Sequence, residues 1–127
     1  MYPFYYHYYP VSYYYGDYRY QSLSRQQLDP TLFMTSARVS QRLLRDALLI
    51  VQKIMNDYNF AKEVMEAARS SQFQKVEELI GSIGIQGDID IWFNPDGIRF
   101  ELPSRPGESG KGTLVLSILW QEFPHYV

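Results

Sequence analysis

Apolar side chains along residues 29–57 recur at helical spacing. Phe33, Ala37, Leu44, Ala47, Leu48, Val51, Ile54 and Met55 fall on one side of an amphipathic helix, at i, i+3, i+4 and i+7 intervals. Leu32, Val39, Leu43 and Ile50 widen that side along one edge. At about 100° per residue the apolar arc takes in roughly half of the circumference, wide enough to touch more than one neighbour. The other side carries Thr35, Arg38, Gln41, Arg42, Arg45, Gln52 and Lys53, with Leu49 as an exception that the pattern does not explain. Asp29 before Pro30 supplies an acceptor at the N-cap and a proline at the first helical position. The centre of the apolar arc predicts that Leu44, Leu48 and Val51 make the contact with the rest of the core.

Two shorter helices follow. Asn59 is placed to cap one with Phe60, Val64, Ala67 and Ala68 on its apolar side. Ser71 and Gln74 have capping-box spacing ahead of another, marked by Phe73, Val76, Ile80 and Ile83 and closed by Gly81 and Gly84. From Gln86 the period changes to two. Ile89, Ile91 and Phe93 alternate with Asp88, Asp90 and Trp92, and Asn94-Pro95-Asp96-Gly97 is a turn. Ile98, Phe100 and Leu102 then alternate with Arg99 and Glu101. Keeping both apolar sets on one face sets Phe93 opposite Ile98, Trp92 beside Arg99 as a cation–π pair, and Asp90 beside Glu101. After a flexible loop over residues 103–112, a third strand over 113–121 carries Leu114, Leu116, Ile118 and Trp120 on one face. The expected fold class is α+β: three helices, one of them long, then a three-stranded antiparallel meander packed on them.

The first twenty residues obey no such period. Half of them are tyrosine: Tyr2, Tyr5, Tyr6, Tyr8, Tyr9, Tyr13, Tyr14, Tyr15, Tyr18 and Tyr20. Pro3, Phe4, His7, Pro10 and Gly16 fill much of the remainder. Runs such as Tyr13-Tyr14-Tyr15 cannot all face a core, so residues 1–28 read as a disordered Tyr/Pro-rich tail and linker. Residues 29–127 read as one α+β domain. With 127 residues in all, that domain holds a modest core.

Charge and composition narrow the function classes. A net charge of −2 does not call for nucleic acid or an anionic membrane. The absence of cysteine excludes disulfides and zinc–thiolate sites without fixing the compartment. The longest purely apolar run, residues 47–51, is far short of a membrane span, and the N-terminus lacks a basic segment followed by an aliphatic one. Residues 107–113, Gly-Glu-Ser-Gly-Lys-Gly-Thr, resemble part of a phosphate-binding loop. Arg105 stands where the first glycine is needed, Gly112 follows the lysine where Ser or Thr is needed, and a strand follows in place of a helix. The segment reads as a hairpin loop with a solvated lysine. Asp88 and Asp90 share a strand face, but two carboxylates are few ligands for a hard cation, and His7 and His125 have no evident partner. No catalytic residues, cofactor, metal or small-molecule substrate are expected.

Two features are left for function. Arg38, Arg42 and Arg45 form a basic stripe that, together with the tail tyrosines, would suit a single-stranded nucleic-acid-binding module, or is an ordinary solvated helix face. The tail itself is a passive spacer, a segment packed on the domain, or an adhesive. Tyrosine combines an apolar ring, a stacking face and a hydroxyl at low entropic cost, and its phenoxyl radicals couple covalently.

The Tyr/Pro-rich N-terminus, the helix entry Asp29-Pro30-Thr31-Leu32-Phe33, the step Ile83-Gly84-Ile85 and the turn Asn94-Pro95-Asp96-Gly97 together resemble the small inner spore coat proteins of endospore-forming bacteria, the YuzC-like group. The resemblance covers most of the domain, and the tail only in composition. It implies a non-enzymatic structural protein made in the mother-cell cytoplasm and placed in the inner coat. Its partners would be other coat proteins or further copies of itself, with the ten tail tyrosines as candidate adhesion or cross-linking residues.

Overall fold

The computed structural model describes residues 28–122. The candidate adhesion residues Tyr2, Tyr5, Tyr6, Tyr8, Tyr9, Tyr13, Tyr14, Tyr15, Tyr18 and Tyr20 lie outside the described residues, as do His7, His125 and Tyr126. Three helices, α1 (Thr31–Asn56), α2 (Tyr58–Arg69) and α3 (Phe73–Gly81), precede strands β1 (Asp90–Asn94), β2 (Gly97–Pro103) and β3 (Thr113–Leu119). The strands form an antiparallel meander in the order β1-β2-β3, the α+β arrangement that the change of period predicts.

The helix ends depart from the sequence reading in detail. The Asp29 carboxylate accepts hydrogen bonds from the Thr31 N–H at 3.0 Å and the Thr31 hydroxyl at 2.7 Å. It therefore satisfies a donor of the first turn, while Pro30 occupies the N-cap position. Asp57, not Asn59, caps α2, accepting from the Phe60 N–H at 3.0 Å. Asp57 also receives Lys53 at 2.9 Å, so one carboxylate ends α1 and starts α2. The capping box at α3 does not form. Gln72 is the N-cap without a side-chain bond, and Ser71 takes a left-handed turn at φ 56° to bend the chain between α2 and α3.

The sheet register is the one that the alternation requires. Phe93 pairs with Ile98, Trp92 with Arg99 and Asp90 with Glu101. The Asn94 side chain accepts from the backbone N–H groups of Asp96 and Gly97, at 2.7 and 3.1 Å, and forms the turn. Trp120 closes it from β3's side, donating its ring N–H to the Pro95 carbonyl at 2.8 Å and its backbone N–H to that of Asp96 at 2.9 Å. Gly97 is required here, since a Cβ would stand 2.4 Å from the Ile118 carbonyl oxygen.

One face of the sheet, with Phe93, Ile98, Phe100 and Leu102, joins Phe60, Val64, Ala67, Ala68, Val76 and Ile80 of the shorter helices in a single core. α1 enters that core through Leu43 and Ile50, with Ala47 buried beside them. This corrects the expected orientation of α1. Leu44 and Leu48 are 57 % and 53 % exposed, whereas Leu43 and Ile50 are almost fully buried. The helix is turned by about one residue, or about 100°. Its contact side includes the buried Asp46, which the apolar pattern assigned no place.

Ile50→Ala should therefore cost about 2–5 kcal/mol in chemical denaturation, the range for deleting a buried branched side chain. Leu48→Ala measured in dilute solution should stay within about 0.5 kcal/mol, as exposed positions do. Equal losses at the two positions would show the helix to be turned otherwise.

Candidate functional site

The polar side chains that the sequence singles out fall at separate places. The phosphate-loop look-alike lies against the N-terminal half of α1. Glu108 is its hub, accepting from Arg42 Nε at 3.0 Å, from Arg42 Nη2 at 2.8 Å and from the Arg105 backbone N–H at 2.6 Å. Arg42 also reaches Asp46 at 3.2 Å, one turn along α1. Ser36 Oγ accepts from the Lys111 backbone N–H at 2.9 Å, and Ser104 and Gly112 exchange two further bonds at the loop's neck. Gly110 rests on the backbone of α1, where a Cβ would lie 2.4 Å from the Thr35 carbonyl oxygen, so the loop seats only with glycine there. Its backbone leads into β3, and the Lys111 ammonium faces the carbonyls of Pro106 and Glu108 at 3.5 and 3.4 Å. The loop is a clamp on α1.

Electrostatics agree with that role. The Arg42 guanidinium, followed by the Arg105 N–H, holds the Glu108 carboxyl below the ordinary glutamate value of 4.5. The same hydrogen bond to Glu108 raises the pKa of Arg42. A bidentate carboxylate–guanidinium pair is strong and directional, and it joins residues 66 apart in sequence.

The basic stripe is thereby divided. Arg42 is half-buried and committed to Glu108 and Asp46, while Arg38 and Arg45 remain exposed on α1. Two exposed cations offer little to a polyanion, whose affinity grows with each phosphate neutralised. Asp88 and Asp90 are both exposed, and among the described residues no group of three or more His, Asp or Glu side chains converges as metal ligands would. On the outer face of the sheet Arg99 stacks on Trp92 at 5.5 Å and pairs with Glu101. That pair places a cation beside Glu101, which stands opposite Asp90 across the strands. At the α1–α2 corner Lys53 bridges to Asp57, the main cause of that carboxyl's lowered pKa, and lies over the Phe60 ring at 5.3 Å. A shallow, open cleft between α2 and α3 is lined mainly by Glu63, Glu66, Ser70, Gln72 and Lys75. Among the described residues no helix is long and apolar enough to cross a membrane. The pairing of Arg42 with Glu108 was not read from the sequence. No local signal pointed to it, since the two residues stand 66 apart.

The fold and these clusters describe a small α+β body braced by a few internal ion pairs, chief among them Arg42 with Glu108. A family model described as YuzC spore coat inner layer protein matches residues 30–111, from the entry of α1 to the Glu108 loop, and the chain belongs to that family. It is similar to the uncharacterized protein YuzC of Bacillus subtilis (strain 168), with 28 % identity over 90 residues, 71 % of this chain and 70 % of that one. No solved structure matches.

The lowered pKa of Glu108 sets a pH dependence. Its folded-state stabilisation is complete above the unfolded value and is lost as pH falls through the folded one. Thermal unfolding should show wild type more stable than Glu108→Gln at neutral pH, with the gap closing as pH falls below the ordinary glutamate value of 4.5. A gap that does not change with pH would remove Glu108 from the clamp.

Proposed function

We propose that this protein is a non-enzymatic structural component of the inner spore coat, made in the mother cell. Its folded body, residues 29–127, docks into the layer, and its tyrosine-rich segment, residues 1–28, adheres or cross-links. Membership in the spore coat family carries the reading. The braced polar clusters support a body that serves as a rigid unit. Ten tyrosines in the first twenty residues, from Tyr2 to Tyr20, support adhesion, because each phenol presents a stacking face and a hydrogen-bonding tip. Given a peroxidase and peroxide, two phenols lose one hydrogen atom each, the peroxide is reduced to water, and the rings join by a carbon–carbon bond.

A fluorescent fusion in sporulating cells should collect at the forespore surface. Diffuse fluorescence throughout the mother cell would refute the coat role. Purified protein treated with peroxidase and hydrogen peroxide should give covalent oligomers with dityrosine emission, and deleting residues 1–20 should abolish most of the product. Undiminished cross-linking after the deletion would show that the tail is not the reactive element.

A further inference from the structure

α1 buries only one edge of its apolar arc. Leu43, Ala47 and Ile50 face the core, with Ile54 partly buried beside them. About 100° further round the same helix runs a second row, Phe33, Ala37, Ser40, Leu44, Leu48, Val51 and Met55. Phe33, Leu44, Leu48 and Met55 are 79, 57, 53 and 71 % exposed. Ser40 and Val51, in between, are half-buried. Surface hydrophobics are ordinary when scattered, but four large ones aligned on one side of a helix mark an interaction site.

Spacing and charge favour a second copy over a charged partner. Positions 33, 37, 40, 44, 48, 51 and 55 are separated by 4, 3, 4, 4, 3 and 4 residues, the same in both directions from Leu44. A two-fold axis at Leu44 sets Leu44 against Leu44, Ser40 against Leu48, Ala37 against Val51 and Phe33 against Met55. Large side chains thus meet small ones at the Ser40 and Ala37 steps, and the Phe33 ring meets flexible Met55. The eleven-residue steps from Phe33 to Leu44 to Met55 correspond to about 3.67 residues per turn, so the row runs nearly straight along the helix. The row contains no charged residue. Its solvent-side margin is Met34, Gln41 and Gln52, with Arg38 and Arg45 further out. A charged partner would find nothing to pair with in the row, whereas a second copy presents a matching uncharged surface. A strip about 33 Å long covering a third of the helix circumference offers roughly 400 Å² per copy, about 800 Å² in all, the size of a weak, reversible interface.

We propose that the protein forms a two-fold symmetric dimer in which two α1 helices pack antiparallel through this row, with the axis at Leu44. Such an interface uses the same patch on both copies. The inference names a contact for the assembly reading above without depending on it. A monomer in the coat would refute the dimer alone, and a dimer outside the coat would refute the coat role alone.

Sedimentation velocity on the full chain should show a monomer–dimer equilibrium. Leu44→Glu, which sets two carboxylates face to face at the axis, should weaken it at least about tenfold while leaving the circular dichroism spectrum unchanged. The chain has no cysteine, so single-cysteine variants report the geometry. Leu44→Cys should form a disulfide-linked dimer under mild oxidation, and Phe33→Cys mixed with Met55→Cys should link to each other faster than either links to itself. A wild type that stays monomeric, a Leu44→Glu variant that dimerises as tightly as wild type, or Leu44→Cys linking no faster than Arg38→Cys would overturn the proposal. Phe33→Cys linking mainly to itself would also overturn it, since that is the parallel pairing. If Leu44→Glu does not fold, the cysteine series decides.

Discussion

A three-stranded meander has one apolar face and too little width to bury it alone. Phe93, Ile98, Phe100 and Leu102 would be open to water without a helical layer over them, and leaving such side chains exposed forfeits about 1.5–3 kcal/mol each. That constraint organises the chain. α1 lies across β2 and β3 and supplies Leu43 and Ile50 to the core, while α2 and α3 close the remaining side with Phe60, Val64, Val76 and Ile80. Phe73, at the start of α3, stacks on Phe93 with ring centroids 4.9 Å apart and ties the shortest helix to the sheet.

Apolar burial is non-directional, so it holds α1 on the sheet without fixing its rotation. Polar contacts supply the direction. Glu108 grips Arg42 through two bonds, Gly110 permits the loop to seat on the backbone at Thr35, and Ser36 receives the Lys111 N–H. With Arg42 and Asp46 turned toward the loop, Leu43, Ala47 and Ile50 face the core, and Leu44 and Leu48 face solvent. Gly110 thus serves close packing against a helix, in a segment whose composition resembles a phosphate cradle.

A body braced in this way suits a coat layer, where the unit has to keep its shape. Its ion pairs are internal: Arg42 with Glu108 and Asp46, Lys53 with Asp57, Arg99 with Glu101. What α1 still presents outward is largely apolar and uncharged. The ten tyrosines of residues 1–20 add a chemistry of the same kind, aromatic and uncharged at neutral pH. Both favour contact between protein surfaces over recognition of a charged ligand.

Periodicity by itself determined the class of fold, the order of the elements, the strand register through Phe93 and Ile98, and the turn at Asn94, because each is a local consequence of side-chain alternation and turn chemistry. The resemblance carried by the helix entry and the turn led to the family. The helix caps were less legible: Asp57 and Asn59 are both good capping residues, and only the chain's path chose between them. The rotation of α1 was not legible at all. Its apolar arc spans about half the circumference, and the pattern centres it on Leu44 and Leu48 because Arg42 and Asp46 read as solvent-facing. Glu108, 66 residues from Arg42, gives that arginine a partner beside the core and draws the helix round. A long-range ion pair has no period, so the part of the arc that is buried, and the part left for another surface, was decided only by the tertiary structure.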